Sequence, residues 1–175
     1  MNMKPAPAFV LNNQHGEPRS LDNYRGRWLV LYFYPRDNTS GCTREASDFT
    51  DALHDFEELG CTVVGVSPDS AATHQKFIDK YNLGIELLSD PEKQTIKTYG
   101  AWGEKTLYGK KTEGLIRSTF LINPEGLTTF SWRAVKVRLK KADGETKHTD
   151  SVRQKLAEMV AKNEGRITCN RCLPV

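Results

Sequence analysis

The chain has 175 residues, of which 38% are hydrophobic, so it is long enough to form one domain with a buried core. Its net charge of +3 is too small to indicate nucleic acid or a membrane surface as a partner. No apolar run approaches the roughly 20 residues of a membrane span, and the first residues lack the apolar stretch of a signal peptide. We therefore expect a cytoplasmic protein whose four cysteines are reduced, so that any disulfide is transient and catalytic.

The first half of the chain predicts a hairpin followed by alternating strands and helices. In chain order these are a hairpin of residues 9–11 and 19–21, a strand over 28–33, a helix over 39–59 ended by Gly60, a strand over 61–67 and a helix over 71–81. The strand over 28–33 is apolar throughout and the strand over 61–67 is mostly so, which is typical of buried parallel strands. Strand–helix–strand–helix order favours a parallel sheet with right-handed crossovers.

The second half predicts a change to antiparallel pairing. Its elements are a strand over 86–88, a helix from Ser89 to about Tyr99, an ordered glycine-rich loop over 100–114, strands over 119–123 and 127–139 joined by a turn, and a last helix capped by Ser151 and ended by Gly165. The whole pattern indicates an α/β protein with a thioredoxin-like fold, in which a central mixed sheet carries helices on both faces. Residues 1–165 would form this domain, and 166–175 a flexible tail with a Cys-x-x-Cys motif.

Cys42 is the residue most suited to chemistry. It follows the buried strand and a loop containing Pro35 and Gly41, and it lies in the first turn of the next helix. Ala46, Phe49 and later apolar residues continue the same helix face, so Cys42 faces the core. The free backbone N–H groups and the dipole at a helix N-terminus favour a thiolate, which is a nucleophile.

The residues around Cys42 resemble the peroxiredoxin family. Pro35, Thr39 and Cys42 match its signature of proline, three residues, threonine, two residues and cysteine. Further segments are similar to the bacterioferritin-comigratory-protein subgroup, also called the Q group, in order over most of the chain. These segments are 34–46, 65–69, 99–105, 108–110, 117–123 and 132–137.

This resemblance implies roles for four residues. Cys42 would be the peroxidatic cysteine, which attacks the peroxide and becomes a sulfenic acid. Thr39 would orient the peroxide, Arg117 would be the arginine of the pocket, and Pro35 would shield the site. Taken from the residues alone, Thr39 is equally a helix cap and Arg117 an ion-pair partner. The resemblance implies peroxide substrates and thioredoxin or another dithiol as reductant, with no metal, haem or flavin, in a protein that is often monomeric.

The sequence departs from the subgroup at the resolving cysteine, which reduces the sulfenic acid. Ser47 stands five residues after Cys42, where many members have it, and no cysteine occurs in the next helix. Cys61 opens a buried strand and is more typical of a small core residue. Cys169 and Cys172 in the tail are possible resolving residues. An external thiol is the alternative, and the tail pair would then have no role in catalysis.

Other interpretations remain open at this point. Cys42 could act as a peroxide sensor that passes oxidation on by disulfide exchange, or the fold could serve a thiol–disulfide oxidoreductase, although no helix begins with a cysteine pair. His54 is badly placed on the helix to act as a base for Cys42, which disfavours a cysteine protease. The basic stretch 133–141 indicates a solvated strand face, with an acidic partner as the alternative.

Overall fold

The computed structural model describes residues 3–170, with side chains as far as Gly165, and its centre is an eight-stranded mixed sheet. The strands are β1 (Lys4–Pro5), β2 (Val10–Asn13), β3 (Pro18–Ser20), β4 (Trp28–Phe33), β5 (Cys61–Ser67), β6 (Glu86–Ser89), β7 (Trp102–Leu107), β8 (Lys110–Leu115), β9 (Ser118–Ile122), β10 (Leu127–Trp132), β11 (Arg138–Lys141) and β12 (Gly144–Lys147). The order in the sheet is β1-β10-β9-β4-β5-β6-β2-β3, and β7–β8 and β11–β12 form separate hairpins.

The centre of the sheet is parallel and its flanks are antiparallel. Strands β4, β5 and β6 pair in parallel, whereas β9 pairs antiparallel to β4, and β2 antiparallel to β6. All six residues of β4 are buried, because a central strand of such a sheet is covered on both faces.

Helices cover both faces of this sheet. They are α1 (Ser40–Asp51), α2 (Leu53–Glu58), α3 (Ala71–Tyr81), α4 (Gln94–Thr98) and α5 (His148–Asn170), with a 3-10 helix over Leu21–Tyr24. Alternate residues of β4 divide the core. Val30 and Tyr32 pack with α1, α2, α3 and α5, while Leu29 and Leu31 pack with α4 and the 3-10 helix. The expected thioredoxin-like architecture with an N-terminal hairpin, β2–β3, is confirmed.

Two predicted helices are shorter than expected. The helix expected over 39–59 is interrupted at Ala52, where α1 ends and α2 begins. The helix expected from Ser89 begins only at Gln94, after Lys93 adopts a left-handed conformation with φ of 59°. The residues between β6 and α4 form a turn instead, in which the carboxylate of Asp90 accepts a hydrogen bond from the N–H of Ile96 at 2.9 Å.

Two antiparallel hairpins were not expected. The predicted loop over 100–114 is mostly the hairpin β7–β8, a pair of exposed strands with little apolar pattern. The strand predicted to run from Leu127 to Leu139 ends at Trp132, and the chain then passes through an irregular segment into β11 and β12. The alternation of valine and lysine after residue 134 therefore does not represent one continuous strand.

The last helix is longer than expected at both ends. It begins at His148 rather than after Ser151, and it continues through Gly165 to Asn170, so the predicted end at Gly165 is wrong. Val152, Leu156 and Met159 are buried in the core, as the helical spacing predicts. Cys169 therefore belongs to the last turn of α5. Residues 171–175, including Cys172, lie outside the described residues.

Between residues 3 and 170 there is no helix with the combination of length and apolar character that a membrane span requires.

Candidate active site

Cys42 lies buried in the first turn of α1, with 1% of its surface exposed. Strand β4 ends at Phe33, and residues 34–39 form the loop that leads into the helix. Because Ala46 and Phe49 on the same face pack into the core, the helix is fixed against the sheet and the sulfur is held at its N-terminus. This placement agrees with the sequence-based prediction, and it favours a negatively charged sulfur.

Arg117 is the side chain that contacts the sulfur. Its Nη2 donates to the Sγ of Cys42 at 3.2 Å, and its Nη1 donates to the carboxylate of Glu45. Arg117 directly precedes β9, the strand that pairs with β4, so the sheet brings it to the end of the loop before α1. The flat guanidinium thus binds the thiol and the carboxyl group with two different nitrogens, a geometry that lysine cannot reproduce.

The electrostatics of this group of three follow from its burial. Burial opposes the charge of Arg117, but Glu45 and Cys42 outweigh it and hold the pKa of the guanidinium above its usual value. Glu45 is fully buried, and its Oε1 has no partner among the described residues. Burial raises the pKa of Glu45 to about 7, although Arg117 acts in the opposite direction. The guanidinium is therefore a permanent cation beside a carboxyl group that titrates near neutrality.

Thr39 forms its described side-chain hydrogen bond within the loop and not with the sulfur. Thr39 is the N-cap residue of α1, but its side chain makes no capping hydrogen bond and instead donates to the carbonyl oxygen of Arg36 at 3.2 Å. Thr39 is exposed, and its hydroxyl proton is engaged by that carbonyl oxygen. Pro35 is exposed in the same loop. Their roles in binding and shielding a peroxide stay predictions.

A buried hydrogen-bond network fixes the loop before Cys42. The carboxylate of Asp37 accepts from the Tyr34 hydroxyl at 2.6 Å and lies 2.7 Å from Nδ1 of His74 on α3. The other ring nitrogen of His74 donates to the carbonyl oxygen of Leu88 at 3.0 Å. All three side chains of the network are almost completely buried. The loop is therefore tied to α3 and, through Leu88, to β6.

The exposed side of the loop is held by α3 as well. Asn38 adopts a left-handed backbone conformation with φ of 61°. Its Oδ1 accepts from the Tyr81 hydroxyl at 2.6 Å and from Nζ of Lys80 at 3.1 Å. The backbone N–H of Asp37 donates to Asp69 at 2.8 Å. Helix α3 therefore contacts two successive residues of the loop that positions Cys42.

Three of these residues were not predicted from the sequence. Glu45 follows Cys42 by one helical turn, so the helical period places it on the same face, and this signal was available. Asp37 and His74 gave no such signal, since 37 residues separate them and only the packing of α3 beside the loop joins them.

Cys61 is buried at the start of β5, and burial raises the pKa of its thiol to about 12. A neutral buried thiol is a poor nucleophile, which agrees with the prediction of a core residue.

The direction of α5 determines where Cys169 lies. Lys147 reaches Asp48 at 3.4 Å, and Arg153 binds Asp55, so α5 advances in the same direction as α1 and α2. Cys42 is at the opposite, N-terminal end of α1. At 1.5 Å per residue, the backbone of Cys169 lies about 24 Å beyond Arg153 along the helix axis. In this conformation Cys169 and Cys42 are at opposite ends of the α1–α5 layer.

No histidine among the described residues forms a hydrogen bond with Cys42. His54 is exposed and pairs with Glu58 on α2, away from the site. His148 is buried and lies 2.9 Å from the Thr119 hydroxyl, and burial together with the positive charge of Arg117 lowers its pKa to about 4. A neutral imidazole there adds no second positive charge near Arg117. Among residues 3–165, whose side chains the structure describes, there is no group of three or more metal-ligating side chains that could bind an ion.

Comparison with known proteins assigns the family. The model of the AhpC/TSA family matches residues 3–130. Peroxiredoxin Bcp of Bacillus subtilis is 47% identical over 133 residues, which are 76% of this chain and 85% of that protein. A putative peroxiredoxin Bcp of Helicobacter pylori is 46% identical over 76% of this chain and 88% of its own length. This chain is a peroxiredoxin of the AhpC/TSA family. The resemblance to the bacterioferritin-comigratory-protein subgroup is thereby confirmed.

Solved structures of peroxiredoxins share the same fold. The bacterioferritin comigratory protein of Xanthomonas campestris, solved as trapped intermediate and ligand complexes that concern alkyl peroxide reduction, gives a TM-score of 0.77 at 37% identity, over 87% of this chain and 92% of that one. A mutant of PrxQ from Xylella fastidiosa gives a TM-score of 0.78 at 34% identity, over 91% of this chain and 98% of that one. The peroxiredoxin described here is thus a thiol-based peroxidase by family.

Proposed function

We propose that this peroxiredoxin reduces hydrogen peroxide and alkyl hydroperoxides by direct attack of the Cys42 sulfur on the O–O bond. The observation that carries the proposal is the 3.2 Å contact between Nη2 of Arg117 and the buried Sγ of Cys42 at the N-terminus of α1. A permanent cation and a helix N-terminus both stabilise negative charge, on the thiolate before attack and on the leaving oxygen during it.

The first step transfers one oxygen atom and two electrons. The Cys42 thiolate attacks the distal peroxide oxygen, an S–O bond forms, and the O–O bond breaks. The leaving alkoxide takes a proton and departs as an alcohol, or as water when the substrate is hydrogen peroxide. Sulfur is oxidised to a sulfenic acid, which a thiol must reduce before the next cycle.

Thr39 and Pro35 complete the proposed site. After rotation of its side chain, the Thr39 hydroxyl would donate to the peroxide and align it for attack. Pro35 would limit the access of water to the same loop. The family resemblance and the position of Thr39 at the start of α1 support these roles.

We propose that thioredoxin or a similar thiol supplies the electrons for regeneration. Cys61 is unsuited to this step because its thiol is buried and protonated. Cys169 and Cys172 remain candidate resolving residues, but Cys169 would reach Cys42 of the same chain only if the end of α5 unwound or moved. An external thiol therefore has the stronger structural support.

A turnover assay tests the function. With excess hydroperoxide and a dithiol reductant, the protein should consume many equivalents of peroxide, whereas a sensor would consume about one. Cys42→Ser should abolish consumption, while Cys61→Ser, the matched control, should keep it. Consumption by Cys42→Ser at the wild-type rate would refute the proposal, and disulfide reduction without peroxide would favour an oxidoreductase of the same fold.

We further propose that the protein is a monomer of the cytoplasm and that one domain extends to the end of α5. The free cysteines described, Cys42 and Cys61, agree with a reducing compartment. Size-exclusion chromatography with light scattering on the reduced protein tests the monomer, and a stable dimer at low concentration would overturn it.

A further inference from the structure

A cleft of about 280 Å³ lies where the chain leaves the sheet after β10. Its walls come from the irregular segment after β10, the hairpin β11–β12 and the first turn of α5. The lining residues are Trp132, Arg133, Ala134, Val135, Lys136, Leu139, Thr146, Lys147, His148 and Ser151. All of them follow residue 130, where the match to the family model ends, so the cleft is built by a part of the chain that this match does not cover.

The charge of this cleft has one sign. Arg133, Lys136 and Lys147 line it, and no aspartate or glutamate does. Neither Arg133 nor Lys136 forms an ion pair with any described residue, whereas Lys147 is 3.4 Å from Asp48. Unpaired cations around a concave surface attract small anions and raise their local concentration. Within the basic stretch 133–141, β11 is a largely exposed strand, as predicted, whereas the residues before it belong to an irregular segment that lines the cleft.

The cleft also offers apolar surface. Trp132 and Val135 are half-buried in its wall, and Leu139 has 44% of its surface exposed there. A ligand that combines carboxylate groups with a short carbon chain would satisfy both the cations and these side chains.

Three contacts join the cleft to the active site. The N–H of Val135 donates to the backbone oxygen of Arg117 at 3.0 Å. His148 bonds to Thr119, two residues beyond Arg117. Lys147 reaches Asp48 on α1, a residue about 9 Å along the helix axis from Cys42. These contacts connect the cleft to residues 117–119 and to α1, the helix that carries Cys42.

We propose that this cleft binds the carboxylates of a small anionic thiol and presents its sulfur to oxidised Cys42. The inference rests on the proposed function, because it concerns the step after sulfenic acid formation. The other cysteines described also favour an external thiol, because Cys61 is buried and the backbone of Cys169 lies in the last turn of α5, which runs away from Cys42.

The reaction requires two molecules of this thiol. The first attacks the sulfenic sulfur of Cys42, an S–S bond forms, the S–O bond breaks, and hydroxide leaves with the thiol proton as water. The second attacks the outer sulfur of the mixed disulfide, releases the oxidised disulfide of the reductant, and restores the Cys42 thiolate. The two thiols lose the two electrons that the peroxide received.

The test compares two thiols of different charge on the same oxidised protein. The full chain carrying Cys169→Ser and Cys172→Ser, so that only external thiols can resolve it, is oxidised with one equivalent of hydroperoxide, and mass spectrometry verifies the sulfenic acid on Cys42. Its reduction is then timed with mercaptosuccinate, which carries two carboxylates, and with neutral 2-mercaptoethanol. The variants are Lys136→Glu and, as a control with the same charge change, Lys140→Glu on β11, outside the cleft.

We expect Lys136→Glu to slow the reduction of the sulfenic acid by mercaptosuccinate by about three- to tenfold relative to its reduction by 2-mercaptoethanol. High ionic strength should make this difference smaller. Lys140→Glu should leave the ratio of the two rates close to that of the parent. An equal effect of both variants would mean that only net charge matters, and it would overturn the proposed role of the cleft. A ratio of the two rates that Lys136→Glu leaves unchanged would overturn it as well. Failure of Cys42 to form a sulfenic acid would instead refute the proposed function.

Discussion

The guanidinium of Arg117 is shared between the sulfur that reacts and a buried carboxyl group. This arrangement explains why a lysine would be a poor replacement: one ammonium group cannot direct two fixed donors to Cys42 and Glu45 at once. The contribution of Arg117 therefore consists of charge and of geometry, and substitutions can separate the two.

Arg117→Ala should lower the rate of Cys42 oxidation by hydroperoxide by about 100-fold or more, because it removes the donor to the developing negative charge. Arg117→Lys should recover only part of this loss. Stopped-flow measurement of the oxidation step gives the rates, and Cys61→Ser provides a control whose rate should stay within about twofold of the wild type. Equal rates for Arg117→Ala and Cys61→Ser would contradict the role of the arginine.

Glu45 should give the stability of the protein an unusual pH dependence. Its pKa is about 7 in the folded protein and near 4.5 when unfolded, so the folded state holds its proton more tightly. Stability from this group is fully present below pH 4.5 and is lost as pH rises through 7, by about 3 kcal/mol in total. Glu45→Gln should remove this dependence, since the neutral amide does not titrate.

The measurement has to allow for His148, which acts in the opposite direction over nearly the same pH range. The pKa of His148 is lowered from 6.5 to about 4, so its contribution is present above pH 6.5 and is lost as pH falls through 4. The difference in unfolding free energy between Glu45→Gln and the wild type cancels this effect. As the pH rises from 4.5 to above 7, the unfolding free energy of the wild type should fall by about 3 kcal/mol relative to that of Glu45→Gln. A difference that is constant with pH would show that Glu45 does not titrate there.

At the scale of a single residue, the sequence predicted Cys42 from its position after a buried strand and at the start of a helix. Arg117 was found only through the family resemblance, because 75 residues separate it from Cys42 and only the pairing of β9 with β4 joins them. The orientation of the Thr39 hydroxyl toward Arg36 depends on a side-chain rotation that no sequence pattern specifies.

At the scale of elements, α3 is the part of the scaffold that fixes the catalytic loop. His74→Asn should remove one of the two buried side-chain partners of Asp37 and lower the unfolding free energy by about 2 kcal/mol. Because the loop then keeps only its exposed contacts with α3 at Asn38, we also expect oxidation of Cys42 to slow by about tenfold.

A control variant separates loss of stability from loss of position. Tyr24→Phe removes the 2.6 Å bond to Glu86 near the N-terminal hairpin, away from the loop, and costs about 1 kcal/mol. It should leave the oxidation rate nearly unchanged. If His74→Asn is destabilised but oxidises at the wild-type rate, the network supports the fold and does not position Cys42.

The elements that were predicted well share one property, which is a buried apolar face. Strand β4 is apolar throughout, β5 is largely buried, and α1 and α3 carry the helical spacing of apolar residues, so the sequence indicates which faces are buried. The hairpin β7–β8 is mostly exposed and rich in lysine, threonine and glycine, so its sequence gives little apolar signal for the backbone pairing. The valines after Trp132 alternate like a strand, yet they lie in an irregular segment because β10 has already ended, and Val135 lines the cleft.

At the scale of the whole molecule, the layer of α1 and α5 separates the two kinds of cysteine. Cys42 is at one end of this layer, and α5 carries the backbone of Cys169 away toward the other. We therefore expect peroxide-treated protein at low concentration to contain no Cys42–Cys169 link within one chain. Non-reducing electrophoresis and peptide mapping test this, with Cys169→Ser as the control. A linked peptide in monomeric protein that the control lacks would show that the end of α5 rearranges.

The proposed reaction of Cys42 is tested most directly by a single turnover in the absence of any added thiol. The reduced full chain is mixed with one equivalent of an alkyl hydroperoxide, and a sulfenic-acid trap is added before digestion and mass spectrometry. We expect one trapped sulfenic acid on Cys42 for each alcohol molecule formed, with Cys61 unmodified. Consumption of the hydroperoxide while Cys42 stays reduced, or oxidation first at another cysteine, would contradict it.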